Sequence, residues 1–242
     1  MWEAMSWGLV GGLALVVGAV FGLVIDPKPK FIGLVMAFGS GVLISALAFE
    51  LAAEAFDTGG TIALTAGLTA GSAAFYVGDL IIDRRGGEHR KRSDGRQQSG
   101  VAMAIVLGAM LDGIPESAAI GVTLIGGGSV GIAVVAAVFL SNIPEAMAAA
   151  SGLRKAGHSA GWILGLWSGV AVASALSAGI GYTALGGTSP ATIAIVQVFA
   201  AGAILTMLAD TMMPEAFDNG GSTTGLVATL GFAAAFLVSH ST

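Results

Sequence analysis

Residues 38–60 read FGSGVLISALAFELAAEAFDTGG, and residues 199–221 read FAAGAILTMLADTMMPEAFDNGG. Aligned at this fixed offset, 10 of 23 positions are identical. The shared ending, EAFDxGG, mixes two acids, an aromatic and a Gly pair, which apolar bias alone does not generate. The stretches therefore form an internal repeat. Each is apolar up to its acidic end, and a membrane-crossing helix needs roughly 20 such residues. Working outward, eight segments of this kind are predicted: 7–25, 31–55, 61–82, 100–125, 130–152, 159–182, 191–214 and 223–240. The repeat occupies the second and seventh. Helices five apart cross in opposite directions, so the repeat is inverted, an organisation typical of secondary transporters.

Composition agrees. Of 242 residues, 55% are hydrophobic and 10% charged, against about 25% charged in soluble domains. The 38 Gly residues suit helices whose backbones approach closely in lipid. Cysteine is absent, which excludes disulfides and thiolate metal sites. Glu3 and the lack of a basic run before the first apolar stretch favour a retained helix over a cleaved signal. One all-α integral membrane domain, 1–242, is expected. It comprises a first three-helix repeat (1–83), a central helix pair (100–152) and a second three-helix repeat (159–242), a 3+2+3 arrangement.

Breaks rich in Gly, Pro and Asp separate the segments. The ten Lys and Arg fall in three of them: Lys28 and Lys30; Arg84, Arg85, Arg90, Lys91, Arg92 and Arg96; Arg154 and Lys155. With eight helices all three loops share one side, which the positive-inside rule makes cytoplasmic. Both termini then lie outside, and 84–99 is a basic cytoplasmic loop. GGGSVG at 126–131 is read as a turn, since no Lys follows it as in a phosphate loop. Trp162 and Trp167 are read as interfacial anchors, and the Met residues in the spans as core filler.

Acids inside the spans carry the chemistry. Each ionisable group costs roughly 2.5–3.5 kcal/mol to insert. Glu50, Glu54, Asp79, Asp112, Glu116, Glu145, Asp210 and Glu215 lie at membrane depth with no Lys, Arg or His beside them in the spans. Such carboxylates are protonated, solvated in a cavity, or paired with a cation from outside. The central pair concentrates the third case. LDGIPE at 111–116 and LSNIPE at 140–145 match each other. Asp112 and Glu116, four apart, share a helical face, as do Asn142 and Glu145, three apart. Pro115 and Pro144 each remove a backbone hydrogen bond, leaving the carbonyls of Leu111 and Leu140 to other partners. Oxygen-rich sets of this kind suit hard divalent ions, and mixed sets admit transition metals.

On these motifs the chain resembles the zinc/iron permease (ZIP, Zrt/Irt-like) family of divalent metal transporters. The resemblance covers nearly the whole chain and implies eight helices, both termini outside, alternating access toward the cytoplasm, and a homodimer. It implies metal ligation by Asp112, Glu116, Asn142 and Glu145. Glu50 and Glu54, in ELAAEA, and Glu215, in MMPEA with Asp210 nearby, would line the path. Asp112 stands where the family has a histidine, Gly113 where it has an asparagine, and Val172 where many members carry a glutamate. Without imidazole, broad selectivity among zinc, iron, manganese and cadmium is expected rather than strict zinc preference. The metal is substrate, with no resident cofactor; the bilayer is the other partner, and nucleic acid is not. A cell membrane, of the prokaryotic inner type, is the expected location. An enzyme is not expected, as no HExxH motif occurs. The alternative is a transport-inactive metal-sensing or scaffold protein derived from a transporter.

Overall fold

The computed structural model describes residues 1–25, 27–87, 102–125 and 131–240, side chains at 102–105 excepted. His89, Arg90, Lys91, Arg92 and Arg96 of the basic loop lie outside the described residues, as does most of the 126–131 turn. Every regular element described is helical: α1 (Trp2–Val24), α2 (Pro29–Ala46), α3 (Ala53–Ile82), α4 (Ala102–Thr123), α5 (Ile132–Lys155), α6 (Ala160–Leu185), α7 (Pro190–Met207), α8 (Met213–Gly220) and α9 (Thr224–Ser239). Among the described residues, five continuous helical runs are long and apolar enough to cross a membrane: Trp2–Val24, Pro29–Gly87, Ile132–Lys155, Ala160–Leu185 and Pro190–Ser239. The chain is thus an all-α protein of membrane type.

Helix starts follow local chemistry. Pro29 and Pro190 open α2 and α7, where a missing N–H is no loss. The Ser159 and Ser189 side chains accept from Trp162 N and Thr192 N, both at 3.2 Å, as N-caps do. At the end of α5, Gly157 takes φ 96° and His158 N reaches Leu153 O at 3.0 Å, closing the helix by a Schellman turn.

The two longest runs span 59 and 50 residues, far more than one crossing requires at about 1.5 Å per residue. Each contains a sharp break at the end of its repeat motif, and the first has another at Gly86, φ 94°. Gly60 has φ 69°, ψ −170° and Gly221 has φ 68°, ψ −149°, a region essentially open to Gly alone. These are the final glycines of the two EAFDxGG motifs. Each run also widens into a π turn, at Leu47–Ala52 and Leu208–Met212, again at matching repeat positions. The expected DTGG and DNGG breaks are therefore single-residue corners. The seventh helix continues through α8 to Gly220, beyond the expected end at 214. The helix expected to stop at 82 extends through a further π turn, Asp83–Gly87, which takes Arg84 and Arg85 out of the loop.

Glycine contacts show which helices approach most closely. A Cβ on Gly12 would strike the backbone of Ala171 in α6, one on Gly18 the backbone of Ile143 in α5, and one on Gly121 the backbone of Ala178 in α6. These seams join α1, α4, α5 and α6. Further seams join α3 to α7, where Gly71 lies against Phe199 and Gly202 against Leu68, and α2 to α9, where Gly231 lies against Phe38 and Gly41 against Ala228; Gly39 brings α2 against Ser141 of α5. Phe38 and Phe199 are equivalent in the repeat. α3 accordingly packs on α7, and α9 on α2.

Apolar grooves open between the helices. One is lined by Phe38, Val42, Leu140 and Ala235, another by Phe199, Ala203, Leu111 and Ala74, with corresponding residues of the two repeats on the walls of each. A third runs between Phe21, Phe31 and Ile143. Trp167, expected at the interface, is instead 3% exposed and packed in the core with Leu15 and Leu153. A small neighbour such as Ala146 in the same cluster leaves the indole room inside.

Candidate functional site

Pro115 and Pro144 sit inside α4 and α5 without ending either helix. Packing covers only part of each helix, as Ile114 and Leu140 beside the prolines are exposed. The four residues around these prolines are all buried: Asp112 is 2% exposed, Glu116 1%, Asn142 3% and Glu145 3%. Asn142 Nδ2 donates to the Gly11 carbonyl of α1 at 3.0 Å, so its oxygen is the atom it can offer a cation. Ser177 Oγ of α6 donates to Ile114 O at 3.2 Å, one residue before Pro115. Gly113 fits beside Ser174 and Val170 of α6.

The two motif helices are not a face-to-face pair along their length. α4 packs mainly on α6 and α7, and α5 mainly on α1 and α2. α1 is inserted between them: a Cβ on Gly11 would touch Ile120 of α4 and Val138 of α5 together. Where the chain passes from one helix to the other, Gly131 N donates to Thr123 Oγ1 at 3.1 Å. Among the described residues, no three His, Cys, Asp or Glu side chains converge closely enough to hold a metal ion.

The remaining acids divide by environment. Glu215 is 3% exposed, and Asn219 Nδ2 donates to its Oε1 at 2.8 Å and its backbone oxygen at 3.0 Å. Its repeat equivalent, Glu54, is exposed. Gln197 Nε2 of α7 donates to Glu54 Oε2 at 2.9 Å and to Glu50 O at 3.2 Å. Glu50 is half-buried, with Ser239 Oγ of α9 hydrogen-bonded to its Oε1. Asp210 is exposed on the second π turn, whereas Asp79 on α3 is buried. The structure thus brings Glu50 and Glu54 into one hydrogen-bonded group and holds Glu215 in another.

Gln197, Asn219 and Ser239 were not singled out by sequence reasoning. Gln197 carried a signal: it is a lone amide in the apolar run ATIAIVQVFA. The spacing Gly127-x-Ser129-x-Gly131 also occurs in the chain. A nucleophile elbow needs a strand before it, and here α4 precedes the turn and α5 follows. Compared with known proteins, the chain matches no family model and no curated protein.

Proposed function

We propose that this chain is a carrier of divalent transition-metal cations, of the zinc/iron permease kind, working by alternating access in a cell membrane. The observation that carries the reading is the burial of Asp112, Glu116, Asn142 and Glu145 around two intrahelical prolines, in helices whose interior sequence has no basic residue. Three carboxyl groups and an amide oxygen at one level of the bundle form the oxygen-rich donor set that suits hard and borderline divalent ions. Of the two proline-freed carbonyls, those of Leu111 and Leu140, each belongs to a residue lining an apolar groove.

An eight-helix inverted repeat accounts for the rest. Two crossings in each long run, joined at Gly60 and Gly221, together with α1, α4, α5 and α6, make eight. Matching π turns, matching corners and the reciprocal packing of α3 on α7 and α9 on α2 support a 3+2+3 arrangement. The first-repeat cluster at Glu50 and Glu54 and the second-repeat Glu215 then lie toward opposite faces of the membrane and line the two approaches. Lys28, Lys30, Arg154 and Lys155 make the Glu215 side cytoplasmic, in a membrane of the prokaryotic inner type, with net movement inward.

The test is uptake of zinc, cadmium, manganese and iron(II) by proteoliposomes containing the purified chain. Saturable uptake with mutual competition is expected. Metal binding without uptake would point instead to a metal-sensing or scaffold protein derived from a transporter. Exclusive copper(I) uptake would contradict the oxygen-based ligand set.

A further inference from the structure

Gln197 is 4% exposed in a helix otherwise apolar around it. An amide at such a position is retained only with its polar atoms satisfied. Its Nε2 spans two acceptors on another helical run: Glu50 O within the π turn, at 3.2 Å, and Glu54 Oε2, at 2.9 Å. A π turn is often found at functional positions, and here the amide fastens it to α7. The other repeat lacks the device. Met36 occupies the equivalent place, fully buried, and has no donor. Glu215 is held by Asn219 of its own helix instead. The fold therefore does not require a cross-helix amide. It occurs on the side where the EAFDxGG glutamate is exposed and is missing where that glutamate is buried.

We propose that Gln197 is a positioning residue that latches the first π turn and the start of α3 to α7 and keeps Glu54 turned outward at one entrance. Its part in transport rests on the cation-carrier reading; the latch itself rests on the hydrogen bonds. When the carrier changes state, Glu54 is expected to adopt a buried setting like that of Glu215, and the Gln197 bonds are the ones that break.

The experiment is hydrogen–deuterium exchange on the full chain in lipid nanodiscs, read on peptides covering 47–56, with uptake measured on the same preparations. Gln197→Met keeps length and removes the donor. Gln197→Glu keeps shape and removes the donor. Gln197→Lys restores donors. Exchange over 47–56 is expected to quicken by about tenfold in Gln197→Met and Gln197→Glu, as befits the loss of a charge-assisted hydrogen bond. Peptides from α5 and α6 should be unaffected, and Gln197→Lys should stay near wild type. Uptake should follow the same order. A side chain needed only for packing gives the opposite order, with Met near wild type and Lys worst. That result, or wild-type exchange in a folded Gln197→Met, overturns the latch. If exchange follows the predicted order while the wild type takes up no divalent cation, the latch stands and the carrier reading fails.

Discussion

On the proposed carrier reading, Glu116 and Glu145 are the residues on which the chemistry turns, and their surroundings fix what substitution should do. Each is buried to within a few per cent, in a helix whose interior sequence has no basic residue. Glu116→Gln or Glu145→Gln keeps the volume and lowers the cost of burial, so insertion and folding should be retained. Metal uptake should fall by more than the roughly 10–100-fold that loss of an outer-shell partner causes. If both variants transport normally, the cation does not pass between α4 and α5. Asp112→Asn should be milder, since an amide oxygen still coordinates, while Asp112→His should shift competition toward zinc. Metal binding requires deprotonated carboxylates, so affinity should decline as pH falls, with protons released on binding; titration calorimetry in buffers of different ionisation enthalpy measures both. Asp112, Glu116 and Glu145 were legible as candidates because acids in long apolar stretches stand out, although the same signal marked Glu54 and Asp210, which are exposed. The different settings of Glu54 and Glu215 were not legible. Both lie in the same EAFDxGG motif, and the groups that separate them are Gln197, far away in the chain, and Asn219, where the first repeat has Thr58.

At the scale of the element, glycine seams decide which helices are fixed together. Gly71 faces the backbone of Phe199, where there is no room for a methyl group, whereas Gly165 on α6 has open space around it. Gly71→Ala should destabilise the α3–α7 crossing by about 1–3 kcal/mol, the usual cost of overpacking. Gly165→Ala should be neutral or stabilise by up to about 1 kcal/mol, from helix propensity. Thermal unfolding in one detergent compares them directly, and equal effects would mean that the close approach at Gly71 is absent. The helices themselves were legible from apolar length and from Gly and Pro punctuation. Their partners were not, because a glycine in sequence does not say which backbone it meets. For that reason the insertion of α1 between α4 and α5, and the inward position of Trp167, emerged only from the packing.

Sidedness belongs to the whole molecule. The native chain has no cysteine, so single replacements report cleanly. Lys155→Cys, at the end of α5, should be shielded from an impermeant thiol reagent in intact cells. Ser189→Cys, at the start of α7, should react. Labelling of the Lys155→Cys variant but not of Ser189→Cys would invert the topology, and labelling of both would break the eight-crossing count. The repeat made the matching corners and π turns of the two long runs legible, since two copies of one motif carry the same local breaks. It did not disclose which helices pack together, which depends on contacts between distant segments.

The three grooves have a further consequence. Each is walled by apolar side chains, and each includes a residue exposed at the surface, such as Phe21, Ile114 or Val238. In a bilayer the material adjoining such openings is acyl chain, and unfilled space along them forfeits dispersion contacts. Lipid tails that fill the grooves would complete the packing between helices, so bilayer fluidity would help to set how easily those helices shift. On the carrier reading, transport rate should change slope at the melting temperature of the reconstituting lipid, while cation affinity should pass through it unbroken.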